Sequence, residues 1–104
     1  MTDKEKLEAF LKGDKSIDLR WADLSRAFLF KADLSGANLF RADLSGAFLS
    51  EANLSKAKLF QADLSWADLI GANLIGAKHI ETAIFTGANI QGIILDPGVT
   101  IKTD

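Results

Sequence analysis

The sequence has no cysteine and a single histidine among its 104 residues. The first absence excludes disulfides and thiolate metal sites. The second leaves His79 as the one imidazole, and at a break in the sequence pattern it reads as a surface or turn residue rather than a catalytic base. No stretch is apolar for long enough to span a bilayer, so no membrane partner is expected. Neither sign of charge predominates: 12 basic residues stand against 14 acidic, a formal net charge of −2. A non-specific nucleic-acid binder needs a basic footprint that this balance does not provide. The opening Met-Thr-Asp-Lys-Glu-Lys is charged, with no apolar run before a cleavage site. That predicts no secretory signal and a cytoplasmic location. Hydrophobic residues make up 48% of the chain, and with mixed charge this is the composition of one folded domain.

What is present is a period of five. Leucine recurs at Leu19, Leu24, Leu29, Leu34, Leu39, Leu44, Leu49, Leu54, Leu59, Leu64, Leu69 and Leu74. Alanine stands two residues before each of them from Ala22 to Ala72, and Ile17 fills that slot in the first pentad. A helix cannot use this pattern. Five residues turn an α-helix by about 500°, which sets successive leucines roughly 140° apart and leaves no buried face. A coiled coil needs a period near 3.5. A continuous strand places Ala and the following Leu on one side, but an odd repeat flips the next Leu to the other. The chain must therefore turn once per pentad, closing short extended segments into a narrow tube.

The run Ala-Asp-Leu-Ser-Arg-Ala-Phe-Leu-Phe-Lys-Ala-Asp-Leu-Ser-Gly-Ala-Asn-Leu-Phe, residues 22–40, resembles the pentapeptide-repeat family. The resemblance covers about residues 16–96. It implies an all-β solenoid, a right-handed quadrilateral β-helix of about four coils with four pentads per coil. On that arrangement Leu19, Leu39 and Leu59 stack on face one. Leu24, Leu44 and Leu64 stack on face two, Leu29, Leu49 and Leu69 on face three, and Leu34, Leu54 and Leu74 on face four. Coils stacked at the strand-pairing distance of about 4.8 Å give a tube on the order of 20 Å long.

The register slips once, because Ala83 follows Ala77 by six residues. Ile80 is expected to point inward there in preference to His79, whose imidazole needs a partner when buried, and a one-residue bulge should result. The pattern resumes through Phe85, Ile90 and Leu95. Three segments follow: a capping α-helix in residues 1–13, the repeat in 14–96, and a turn and tail in 97–104. Thr2 and Glu5 have capping-box spacing, Gly13 is placed to stop the helix, and Leu7, Phe10 and Leu11 form an apolar stripe. Asp96-Pro97-Gly98 reads as a turn. Val99 and Ile101 are then placed to fold over the last coil; if they do not, that end is open to end-to-end pairing.

The repeat also accounts for the residues that most invite a chemical reading. Asp23, Asp43 and Asp63 align one per coil, but Asn38, Asn53 and Asn73 occupy the same slot, which suits bonding to the corner backbone. The serine ladder Ser25, Ser45, Ser65 reads the same way. Gly36, Gly46, Gly71, Gly76, Gly87 and Gly92 fall in the corner slot, where backbone geometry explains them. No catalytic, cofactor-binding or metal-binding residue is expected, and the chain reads as non-enzymatic.

The aromatic residues do not follow the bland repeat. Phe28 and Phe48 precede the central leucine, Phe30, Phe40 and Phe60 follow it, and all should face outward. Trp21 and Trp66 fall at corners. Phe40 and Phe60 are expected to stack on face one beside Trp21. Phe28, Phe30 and Phe48 are expected together with Ile70 on face three, beside Trp66. Exposed aromatic patches anchor interfaces, so these seven aromatics are the expected interaction surface for a protein partner or for a homo-oligomer through the aromatic faces or the C-terminal end; the equal alternative is that cross-coil aromatic ladders simply stabilise the faces. The alternative that the resemblance supplies is a DNA-mimicking inhibitor or protector of a type II topoisomerase (gyrase). That mode calls for a long acidic rod. A plain repeat unit without activity, or an engineered one, also fits the residues.

Overall fold

The computed structural model describes residues 1–104. Its logic is visible in the five backbone N–H groups of one pentad, Ala42–Gly46. Ala42 donates to Leu39 O at 2.9 Å and closes a corner. Asp43 donates to Ala22 O in the coil before, at 2.9 Å. Leu44 and Gly46 donate to Asp63 O and Ser65 O in the coil after, at 2.7 and 2.8 Å. Ser45 N–H faces no carbonyl, and the Asp43 side chain accepts it at 2.9 Å. Every donor is used, as a packed backbone requires.

Repeating this unit gives isolated parallel bridges between residues twenty apart, Asp23 with Asp43, Phe28 with Phe48, Asp33 with Asn53, Asn38 with Lys58, and so on upward. Four such bridges follow one another before the chain returns to its starting column, so one coil takes four pentads. The extended segments are single bridge residues rather than strands, because a corner follows each one.

The corner slot carries positive φ at every pentad from Trp21 to Gly76. Glycine fills it at Gly36, Gly46, Gly71 and Gly76, but Trp21, Arg26, Lys31, Arg41, Glu51, Lys56, Gln61 and Trp66 hold it too. Positive φ only at the third residue of the turn is the type II signature. Each non-glycine there carries strain of about 1–2 kcal/mol. Core burial and the inter-coil bonds hold it in place.

The interior is a column of leucine and alanine. Leu19 and Leu29 to Leu74 are essentially inaccessible, as are Ala42 to Ala72. Burying each leucine is worth roughly 2 kcal/mol. Alanine at the facing position keeps the bore narrow enough for the leucines of adjoining coils to touch.

The extra residue after Ala77 is taken up by one turn of 3-10 helix, Ile80–Thr82, rather than by the expected bulge. His79 enters it in the left-handed region, φ 59°, and stays exposed while Ile80 packs on the core, the orientation expected from the sequence. Bridges then run twenty-one apart, Asp63 with Ile84, Asp68 with Asn89, Asn73 with Ile94. The turn removes the carbonyl that Gln61 N–H needs. Thr82 Oγ1 replaces it, accepting from Gln61 N at 2.8 Å and donating to His79 O at 2.7 Å.

Both ends are covered. Helix α1, Asp3–Leu11, begins with the capping box: Glu5 N donates to Thr2 Oγ1 at 3.1 Å and Thr2 N to Glu5 Oε1 at 2.8 Å. It ends on Gly13, φ 115°, with Gly13 N bonded to Phe10 O and Asp14 N to Ala9 O, the paired bonds of a Schellman ending. Leu7 and Phe10 are buried on the first coil, and Asp3 accepts Asp23 N–H at 2.7 Å, where a preceding coil's carbonyl would stand. Leu11, expected in the same stripe, is instead 39% exposed at the helix end. At the other end Asp96 accepts Gly76 N–H at 2.9 Å, Thr103 O accepts Gly87 N–H at 2.7 Å, and Ile101 packs on the core. The tail therefore folds over the last coil, so the condition stated for end-to-end pairing is not met. The whole measures 37 × 22 × 22 Å.

Candidate interaction surface

The outer surface is organised in columns, since each side chain stands above its counterpart one coil away. On face one Phe40 and Phe60 stack with centroids 5.1 Å apart and planes 10° from parallel. Trp21 meets Phe40 edge-on at 5.9 Å, and His79 meets Phe60 edge-on at 5.9 Å. Arg41 lies 4.9 Å from the Trp21 ring and 5.6 Å from Phe40. The expected column is thus present and longer than expected. His79 closes it because the 3-10 turn lifts the imidazole outward, which periodicity alone does not show. Phe40 and Phe60 are half-buried by their mutual contact rather than fully exposed.

On face three Phe28 and Phe48 stack at 5.1 Å and 12°. Phe28 is 86% exposed. The larger cluster expected there does not form. Phe30 makes no aromatic pair and sits under Lys31 Nζ at 5.2 Å. Trp66 lies over the backbone of Gly87 in the next coil, which has no Cβ to obstruct the ring.

The slot before the central leucine has a second consequence. Asp18, Asp23, Asp33, Asp43, Asp63 and Asp68 each accept the N–H two residues on, as do Asn38, Asn53, Asn73 and Asn89, and Asp14, ahead of the repeat, does the same for Ser16. Where serine follows Asp23 and Asp33, its hydroxyl also donates at 2.6 Å. The Ser25 and Ser35 hydroxyls, with their backbone N–H groups, hold these two carboxyls below the usual range. Arg20 grips Asp18 through two bonds of 2.9 and 2.8 Å and lowers its carboxyl much further. These acids are committed to the backbone, and no group of His, Asp or Glu is arranged to hold a metal.

Phe28, Phe48, Lys58, Lys78, Ile84 and Ile94 break that rule, because none offers an acceptor. The N–H groups two residues on, at Phe30, Ser50, Phe60, Ile80, Thr86 and Asp96, consequently have no partner within the chain. The signal was present in the sequence as a missing Asp or Asn. It becomes meaningful only once that side chain is known to serve the backbone.

A groove of about 350 Å³ opens on face one between Asn38 and Lys58 on one wall and Phe40 and Phe60 on the other, with Arg20 and His79 at its ends. A second, of about 390 Å³, runs between α1 and the first coil, lined by Leu7, Leu11, Ala27 and Phe28 among others.

The family model described as Pentapeptide repeats matches residues 17–55 and 49–78, in 8 copies. The chain belongs to the pentapeptide-repeat family. Among solved structures it is similar to the pentapeptide-repeat protein Rfr23 from the cyanobacterium Cyanothece 51142, with 40% identity, a TM-score of 0.60, and 78% of this chain and 61% of that one covered. It is also similar to the pentapeptide-repeat protein alr5209 from Nostoc Pcc 7120, with 37% identity, a TM-score of 0.60, and coverage of 91% and 76%. The chain thus spans about three fifths of the first of these structures. No curated protein sequence matches. The pentapeptide-repeat assignment goes with a β-helix, and the aromatic columns lie on its outside.

Proposed function

We propose that this pentapeptide-repeat protein is a non-enzymatic binding module that associates, with itself or with a protein partner, through its outward aromatic face. The observation that carries the reading is the Phe28–Phe48 stack. A phenylalanine 86% exposed, set on a backbone locked by inter-coil bonds, loses little entropy when covered. Aromatic anchors of this kind dominate interface energies. The free N–H groups of Phe30 and Ser50 lie beside the stack and offer two donors, one coil apart, to whatever covers it.

Duplex mimicry is the weaker alternative. It needs a continuous acidic surface, and the column of Asp18 and Asn38 gives way to Lys58 and Lys78 on face one. The test of the leading reading is the double variant Phe28→Ser, Phe48→Ser. Sedimentation velocity across a concentration series should show association in the parent and a monomer in the variant, with unchanged circular dichroism. Association that survives the double substitution removes face three from the reading.

A further inference from the structure

We propose that face one holds a carboxylate site, built around the free Phe60 N–H, that captures an acidic peptide segment carrying an apolar side chain. The inference rests on the reading of the chain as a binding module and names the chemistry of one partner.

The argument begins with the pentad rule. The N–H two residues after the bridge position points out between two side-chain columns and takes an oxygen from Asp or Asn. One coil below, Phe40 N–H donates to Asn38 Oδ1 at 3.2 Å in this way. At Phe60 the corresponding residue is Lys58, which has no acceptor, and the N–H has no partner in the chain. Lys58 and Phe60 both line the face-one groove, together with Asn38 and Phe40. A carboxylate entering the groove from another chain would stand where the Asp or Asn side chain stands elsewhere in the tube.

The charge around that position suits an anion. Lys58 and Lys78 are bridge partners in adjoining coils, and neither has an acidic partner within 4 Å. Arg20 at one end is neutralised by Asp18, and His79 at the other lies 3.9 Å from Glu81. The two lysines are therefore uncompensated, and Arg41, over Trp21 and Phe40, adds a third unpaired cation at the corner of the face. The opposite wall is the side of the Phe40–Phe60 stack, which takes an apolar neighbour of the carboxylate. Hydrogen bonds to a charged acceptor are the strong ones.

A peptide fits better than a nucleic acid. The lysine column is two residues long. Across the Trp21–Arg41 corner stand Asp23, Asp43 and Asp63, one per coil. A continuous polyphosphate laid over the face would run beside that acidic column.

The decisive variants exploit the repeat itself. Lys58→Asn restores the internal acceptor, closes the Phe60 N–H and removes one cation. Lys58→Met removes the same charge but leaves the N–H free. The probe is a short capped peptide of alternating glutamate and phenylalanine, titrated into the full chain and followed by amide NMR shifts at low salt. The expected result is a saturable shift of the Phe60 amide in the parent. Affinity should fall at least tenfold in Lys58→Asn, and Lys58→Met should retain an intermediate, measurable shift of the same amide. Lys58→Asn should also unfold at higher denaturant than Lys58→Met, which shows that the internal bond has formed. No Phe60 shift at millimolar peptide, or equal binding by Lys58→Asn, overturns the proposal. So does an oligothymidylate that shifts the same amides more tightly than the peptide. Lys58→Asn leaves Phe28 and Phe48 untouched, so its self-association reports on face three separately.

Discussion

Gly87 and Gly36 occupy the same corner slot with nearly the same backbone, φ +71° and +69°, yet replacing each by alanine should have different consequences. An alanine Cβ at position 36 meets nothing within 4 Å. Its cost is the left-handed conformation, about 1–2 kcal/mol, offset by about 0.4–1 kcal/mol of lost freedom in the unfolded chain. A net destabilisation of about 1 kcal/mol is expected. At position 87 the same Cβ would lie 2.4, 2.5 and 2.6 Å from three atoms of the Trp66 ring. The ring must leave. Trp66 is 72% exposed, so the surface it gives up is about a quarter of a tryptophan. At about 25 cal/mol per Å² that adds roughly 1–2 kcal/mol. Gly87→Ala should therefore cost about 2–3 kcal/mol in urea unfolding followed by circular dichroism. The double-mutant cycle with Trp66→Ala isolates the contact: without the ring, Gly87→Ala should cost no more than Gly36→Ala. Equal costs for the two glycine variants, or a cycle additive to within about 0.5 kcal/mol, refute the claim that the ring and the missing Cβ are matched.

Two further perturbations probe the backbone accounting. Thr82→Val keeps the shape of the side chain but removes the hydroxyl between Gln61 N–H and His79 O, and should cost about 1–2 kcal/mol by urea denaturation. Acid should weaken the fold. Asp14, Asp23, Asp33 and Glu5 have carboxyls held below their ordinary values by bonds from the residues they cap. Their stabilisation is complete above the unfolded value, about 4, and is lost as pH falls from there through the depressed native values. Melting temperature should thus be flat near neutrality and drop below about pH 4. The double variant Asp23→Asn, Asp33→Asn should flatten part of that drop, since asparagine makes the same bond at Asn53 and Asn73.

The period of five was enough to place Leu19 to Leu74 in the bore, because no other arrangement keeps an odd repeat facing one way. It was enough to assign Asp23 and its counterparts to the backbone, since Asn shares the slot. The helix cap was legible down to the Thr2–Glu5 pair, a local pattern three residues long. Most of what escaped the sequence lies about one coil apart along the chain. Trp66 over Gly87 depends on the column shift that the 3-10 turn introduces, so a strict period of twenty pairs the wrong residues. The same turn raises His79 onto Phe60, and its missing carbonyl recruits Thr82. Leu11 satisfied the helical stripe but lies past the edge of the coil that buries Leu7 and Phe10. The free Phe60 N–H was hidden for another reason: an absent acceptor has no meaning until the donor is located.

The turn at Ile80–Thr82 adds one residue, yet the three bridge columns beyond it align as those before it do. A corner is thus a place where chain length and tube geometry are uncoupled. A foreign peptide grafted between His79 and Thr82 would be held out from the wall with its two ends anchored in neighbouring coils. The tube would then serve as a rigid display scaffold whose inserts need not obey its period.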